Sequence, residues 1–380
     1  GGRNVGPWLT AFAYGTSYFS AVVFVGYAGQ FGWKYGLAST WIGLGNAIIG
    51  SLLAWVVLGR RTKVMTQHLN SKTMPDFFGE RFDSKALKIT ASAIVFIFLV
   101  PYTASVYNGL SRLFGMAFDI PYTVCVVVMA IFTGIYVIMG GYMATAINDF
   151  IQGIIMLGGI VAVIAAVLSG QGGFIQAIRQ MAEIPSDVAV TAGQPGAFTS
   201  FFGPDPLNLL GVVILTSLGT WGLPQMIGKF YAIKDEKAIN TGTVISTLFA
   251  VVISGGCYFL GGFGRLFDNP SIYDAETGAV VYDSIIPYML STLPDILIGI
   301  VVVLVLSASM STLASLVLTS SSTLTLDFLK DNVMKNMGEK KQVRTMQVLV
   351  VFFIVLSVVI AMDPPTFIAQ LMGISWGALA

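Results

Sequence analysis

Charge, cysteine and histidine are all scarce in this 380-residue chain. Charged residues make up 10%, and twenty Lys and Arg against nineteen Asp and Glu leave a formal net charge of +1. That balance provides no basic excess to hold nucleic acid and no acidic tail to keep a segment disordered, so polyanion partners are excluded. Cys125 and Cys257, the only cysteines, both lie in apolar runs. A disulfide framework and a zinc cluster are therefore excluded, and both residues read as small buried hydrophobes. One histidine, His68, sits between apolar segments and leaves neither a Ser/His/Asp triad nor a histidine metal site. The chain does not read as an enzyme.

What is abundant is apolar. The composition is 55% hydrophobic with a mean hydropathy of +0.81, which a soluble domain does not reach. A hydrocarbon core of about 30 Å needs roughly twenty apolar residues in a helix. Ten charge-poor runs follow, at 7–30, 37–59, 89–115, 121–139, 148–169, 207–228, 239–264, 295–320, 345–361 and 366–380. At 1.5 Å per residue the last rises only about 22 Å. It ends with no charged anchor, and the chain opens Gly1-Gly2-Arg3 without an initiator Met. Both ends predict a segment of a longer polypeptide, truncated in the tenth span.

Positive charge is retained on the cytoplasmic side of a membrane. Sixteen Lys and Arg fall on one side of these spans: Arg3, then Arg60, Arg61, Lys63, Lys72, Arg81, Lys85 and Lys88, then Lys229, Lys234 and Lys237, then Lys330, Lys335, Lys340, Lys341 and Arg344. Lys34, Arg112, Arg179 and Arg265 are alone on the other, beside the acidic residues of the long loops 170–206 and 265–294. This asymmetry predicts a plasma-membrane protein embedded in the lipid bilayer with its first residue inside the cell.

Two spans carry helix-breaking and small polar residues at mid-membrane: Gly15-Thr16-Ser17-Tyr18-Phe19-Ser20 in the first and Thr216 to Pro224 in the sixth. These are equivalent members of two five-span halves. Interrupted segments in corresponding positions point to the binding site of an inverted-repeat transporter. The alternative is that small residues simply let helices pack closely. The eighth span adds a hydroxyl stripe, with Ser307, Ser311, Ser315 and Ser322 on one face. Hydroxyls and freed carbonyls suit a hard alkali cation, although membrane serines also bond back to their own helix. Asp149, at the start of the fifth span, is the main intramembrane charge. It is either functional or the N-terminal acid of a helix meeting the macrodipole.

The motifs Gly1 to Pro7, Thr73-Met74-Pro75-Asp76-Phe77-Phe78, Gly140-Gly141-Tyr142-Met143-Ala144 with Asn148 to Gln152, Gly222-Leu223-Pro224-Gln225 and Met310-Ser311-Thr312-Leu313 occur in that order. Together they resemble the sodium:solute symporter family over essentially the whole chain. The resemblance implies an all-α, polytopic leucine-transporter-type fold with an inverted five-plus-five repeat and broken first and sixth helices. Its parts would be residues 1–169, an extracellular loop at 170–206, and residues 207–380. It further implies a sodium ion held by the carbonyls of Thr16, Phe19 and Ala308 and the hydroxyls of Ser311 and Thr312. Asp149 is the family's intramembrane aspartate. Members with a second sodium carry paired serines where this chain has Ala314 and Ser315, which makes Ser315 only a possible participant. Ser20, Tyr102, Ser105, Thr220 and Gln225, with Thr16, are the candidates for lining the solute cavity.

The expected function is sodium-coupled import of a small organic solute, a carboxylate or amino-acid-like molecule. Asn148-Asp149, Gly222-Leu223-Pro224 and Asp363-Pro364-Pro365 tilt the resemblance toward the pantothenate branch and away from proline. Alternatives are a proton-coupled carrier with Asp149 as relay and a transporter-like membrane sensor.

Overall fold

The computed structural model describes residues 5–334 and 337–379, without the side chains of residues 141 and 142. Gly1 to Asn4 of the opening motif, Lys335 and Ala380 therefore lie outside the described residues, as does the side chain of Tyr142. The chain is all-α and polytopic. Its helices are α1 (Pro7–Tyr18), α2 (Ala28–Tyr35), α3 (Thr40–Gly45), α4 (Arg60–His68), α5 (Met74–Phe82), α6 (Lys85–Phe118), α7 (Tyr122–Gly170), α8 (Phe174–Glu183), α9 (Pro206–Leu218), α10 (Pro224–Ala232), α11 (Glu236–Gly261), α12 (Tyr282–Ser291), α13 (Asp295–Thr323), α14 (Glu339–Met362) and α15 (Ile368–Leu379). Wider π-helical turns occur at Val22–Tyr27, Asn46–Leu53, Trp55–Gly59 and Leu324–Val333.

Among the described residues, seven helical runs are long and apolar enough to cross a membrane: Val22–His68, Lys85–Phe118, Tyr122–Gly140, Met143–Gly170, Glu236–Gly261, Asp295–Val333 and Glu339–Met362. The ten runs read from the sequence reduce to these for physical reasons. The first and sixth spans are interrupted, so each is carried by shorter helices. The run from Val22 to His68 holds two arms, because Gly36 adopts φ +59° and turns the chain. Within α7 the Asn148 amide donates to the Tyr136 hydroxyl at 2.8 Å. Twelve residues of straight helix would separate those positions by about 18 Å, so α7 bends between them.

Helix starts are written locally. Thr73 and Asp235 accept backbone N–H bonds from Asp76 and Ala238, and Asp205 accepts from Asn208. Each satisfies an amide that the first helical turn leaves open. Pro7, Pro206 and Pro224 stand in first turns, where a missing N–H is harmless. At the end bearing the long acidic loops, Arg265 fixes the loop after α8. Its guanidinium bonds the Trp33 carbonyl and the Asp187 carboxylate and lies 3.9 Å from the centre of the Phe198 ring.

Between helices in lipid there is little hydrophobic drive, so close packing of small residues does the holding. The backbones of α2 and α11 meet directly, since a Cβ added at Gly32 would fall 2.0 Å from the Gly261 carbonyl oxygen. Helix α13 is buried along most of its length and packs against α7, α6, α1 and α14. It forms the axis of the bundle.

Gly261→Val should therefore force α2 and α11 apart and cost about 1–3 kcal/mol by overpacking, read as a lower thermal midpoint of the purified protein. Gly299→Ala, where a Cβ meets nothing within 4 Å, should leave the midpoint unchanged or slightly raised.

Candidate functional site

Helix α1 stops at Tyr18. Phe19 takes an extended backbone, and its N–H still reaches the Gly15 carbonyl at 3.2 Å. The carbonyls that follow have lost their intrahelical donors, and α13 supplies polar partners at this point. Thr312 Oγ1 lies 3.2 Å from the Thr16 carbonyl oxygen and 3.1 Å from that of Ala308. Ser311 donates to Thr16 Oγ1 at 2.8 Å, and Ser309 accepts the Ala21 N–H at 3.1 Å. One hydroxyl proton cannot serve two carbonyls fully, so several oxygens converge at the end of α1 with fewer protons than acceptors.

The structure thus brings Thr16, Ala308, Ser311 and Thr312 into direct contact, with Phe19 at the break itself. Thr312, Ser311 and Thr16 are fully buried. One turn along α13, Ser315 shares a 2.9 Å hydrogen bond with Ser17, which itself donates to the Ala13 carbonyl. Asp149 is wholly buried, and neither carboxylate oxygen accepts a hydrogen bond among the described residues. The Lys229 ammonium stands 4.0 Å from Asp149 Oδ2 and donates to Ser315 at 3.1 Å.

Position in the sequence put Lys229 among the basic loop residues, and the structure corrects this. The break at Gly219–Leu223 starts α10 inside the bundle, so the side chain is 6% exposed and points inward. The available signal was the i, i+4 spacing from Gln225, which places both on one face of a helix. Lys63 is likewise buried, with its ammonium on the Ile233 carbonyl.

The second break faces the first. Tyr18 donates to the Thr216 carbonyl at 3.2 Å, while Asn46 Oδ1 accepts from the hydroxyls of Thr216 and Ser217. Carbonyls of the π-helical stretch Asn46–Leu53 take the remaining donors, Tyr14 on Gly50 and Trp221 on Ile49. Wide turns of this kind tilt carbonyls out of the helical ladder.

A cavity of about 630 Å³ reaches from Gln225, Lys229 and Ser315 to the surface at Asn70–Met74, on the end carrying the basic loops. Of the predicted solute-lining residues only Gln225 lies on it, with neither amide atom hydrogen-bonded among the described residues. Ser20, Tyr102, Ser105 and Thr220 are buried deeper. Tyr102 belongs instead to an aromatic layer in which the rings of Tyr18, Tyr27 and Tyr102 lie 6.0–6.3 Å from Trp376. The sequence reading missed Trp376 because it stands in the run judged too short to span. The Tyr102 hydroxyl and the Trp376 indole N–H face each other, and neither has another partner among the described residues.

Beyond that layer the other end is closed over. Helix α12 rests on α2, and its Asp283 accepts the Ile368 N–H at 3.0 Å. A separate crevice of about 540 Å³ lies there between Arg112, Tyr122 and Asp283.

A cysteine at Ser322, on the wall of the larger cavity, should react with a membrane-impermeant thiol reagent from the face bearing the basic loops only. The wild type should stay unlabelled, because Cys125 and Cys257 are buried. Equal labelling from both faces would contradict the one-sided opening.

The family model described as the sodium:solute symporter family matches residues 1–380. A sodium/proline symporter of Staphylococcus aureus is 31% identical over 99% of this chain and 72% of its own length. An osmoregulated proline transporter of Bacillus subtilis is 27% identical over 99% and 74%. Among solved structures, a sodium-coupled sialic acid symporter in a substrate-bound outward-open state superposes with a TM-score of 0.77 at 17% identity, covering 95% of this chain and 74% of its own. MHP1, a nucleobase-cation-symport-1 family transporter in a closed conformation, gives 0.57 at 12% identity over 100% and 76%. Both share the fold.

These relatives do not support the tilt toward the pantothenate branch. The residues behind that tilt have structural duties here. Asn148 bonds Tyr136, the stretch 222–224 turns the chain into α10, and Asp363 ends α14. They are therefore poor reporters of the solute. With its entire length matched by the family model, this chain belongs to the sodium:solute symporter family.

Proposed function

We propose that the chain imports a small amino-acid-like solute together with sodium, by alternating access. The ion sits between the carbonyls of Thr16, Phe19 and Ala308 and the hydroxyls of Ser311 and Thr312. The observation that carries this reading is Thr312 Oγ1 between the carbonyl oxygens of Thr16 and Ala308 at the broken end of α1. An oxygen-only set in a dry interior suits a hard monovalent ion. Bound there, sodium joins α1 to α13 and favours the conformer in which the solute site is assembled, so each ligand strengthens the other.

The basic end is the cytoplasmic one on the positive-inside rule, so the cavity opening there makes this an inward-open form. On this reading the solute occupies the aromatic layer between the two breaks, with Ser20, Ser105 and Thr220 around it. The Tyr102 hydroxyl and Trp376 N–H, which face each other, are together donors suited to a carboxylate. The surrounding ring faces suit an ammonium or alkylated amine by cation–π attraction. Proline carriage by the relatives is compatible with this class, and a carboxylate such as pantothenate would use the same donors.

Ser311→Ala or Thr312→Ala should weaken apparent sodium affinity by about 10-fold or more, the ~1.4 kcal/mol of one lost oxygen contact. Ser320→Ala, further along α13, should change it little. Equal sodium dependence in all three variants would defeat the assignment. Tyr102→Phe should raise the half-saturating solute concentration several-fold at saturating sodium and leave the half-saturating sodium concentration in place.

A second reading is proton coupling with Asp149 as the relay, which its complete burial favours. Uptake that persists when choline replaces sodium but collapses with the pH gradient would establish it. Sodium dependence that survives an uncoupler would exclude it. Nothing in the described residues favours the sensor reading.

A further inference from the structure

Two hydroxyl pairs stand side by side between the same two helices. Thr16 and Ser311 are 2.8 Å apart, and Ser17 and Ser315 are 2.9 Å apart. Ser311 and Ser315 are one turn apart on one face of α13, and Thr16 and Ser17 are neighbours on α1. The first pair belongs to the proposed sodium position. Asp149 lies between the pairs: wholly buried, it faces Ser311 of the first, and Lys229 links it to Ser315 of the second. An ionised carboxylate in such a place needs a compensating cation.

That cation is part of the chain. The Lys229 ammonium lies 4.0 Å from Asp149 Oδ2 and donates to Ser315 at 3.1 Å. Ser315, Ser17 and the Ala13 carbonyl continue the line of bonds. Two monovalent-cation positions are thus stacked along α13, one built from oxygens alone and the other holding an ammonium tethered to α10. A tethered charge neutralises Asp149 but cannot leave through the cavity, although it lines the cavity wall.

We propose that the Lys229 ammonium occupies a second cation site formed by Asp149, Ser315 and Ser17, so that one sodium is bound per cycle. A neutral side chain at 229 then opens this site to a second sodium. The inference rests on the sodium reading above and adds a stoichiometry to it. The site is adjacent to the cavity, so the vacated position is reachable from water.

The test is equilibrium binding of radiolabelled sodium to the purified full chain, with thermal unfolding as a control for folding. Wild type and Lys229→Arg should each bind about one sodium per chain, and Lys229→Ala about two, since removing the tethered charge leaves Asp149 to recruit a free one. The extra ion should disappear in the Lys229→Ala, Ser315→Ala double variant. Two sodium ions on the wild type, or a single one on a folded Lys229→Ala protein, would overturn the proposal. Should Lys229→Ala fail to fold, Asp149→Asn combined with Lys229→Ala removes both charges and should fold and bind about one sodium, because the need for a counter-ion is gone. Failure of that double variant to fold, or binding of two ions by it, would also overturn the proposal. No saturable sodium on the wild type would instead remove the sodium reading itself, and this inference with it.

Discussion

The bundle depends on an exchange of hydrogen bonds between the end of α1 and the hydroxyl face of α13. A helix in lipid must satisfy its own backbone, and α1 gives that up from Thr16 onward. The exchange is tolerable only because α13 offers side-chain donors and acceptors at the same depth. Thr312 approaches the Thr16 carbonyl, Ser311 reaches the Thr16 hydroxyl, and Ser309 receives the Ala21 N–H. The break is therefore held by its neighbour, and the oxygens it exposes face each other in a fully buried place. Aromatic packing of Phe12 against Phe150 and Phe249 supports the same end of α1 from behind.

The same logic explains the charged pair. An isolated carboxylate at this depth costs several kcal/mol, and a lysine brought in by the restart of α10 offsets it. Because α10 begins inside the bundle, its side chains are presented to the interior where an unbroken sixth helix would carry them out to the loop. The two broken spans thus contribute differently. The first exposes carbonyl oxygens, and the sixth delivers a charged side chain to the hydroxyls of the eighth.

Access follows from how the ends are closed. At the acidic end, α12 lies across α2 and is tied to the start of α15 through Asp283 and Ile368, and the aromatic layer around Trp376 lies beneath it. At the basic end the Asn70–Met74 turn leaves a cavity down to Ser315. Nearby, Lys88 gathers Asp76, Asp327 and Asp331, joining the loop helix α5 and the foot of α6 to the far end of the eighth span. The packed layer and the open cavity lie on opposite sides of the break in α1, the arrangement alternating access requires.

Spans, interruptions and the hydroxyl stripe were all legible by inspection, because hydropathy and helix-breaking chemistry are properties of contiguous residues. The clusters at Gly15–Ser20 and Thr216–Pro224 contain the places where the helices stop, and Asp149 was recognisable as a buried acid from its apolar surroundings. The reading failed where a residue's neighbours lie hundreds of positions away. Lys229 looked like a loop cation until α10 was seen to begin in the interior, and the deeper burial of Ser20, Ser105 and Thr220 depends on which helices separate them from the open cavity. Trp376 was discounted for the length of its run. By itself, then, the sequence determined that this is a helical membrane protein with two interrupted spans and an oxygen-rich face, since each of these is set by local transfer free energy and backbone chemistry. Tertiary structure alone decided which hydroxyl meets which carbonyl, which cation answers Asp149 and which end is open, because those outcomes depend on helix rotation and close packing between segments far apart in the chain.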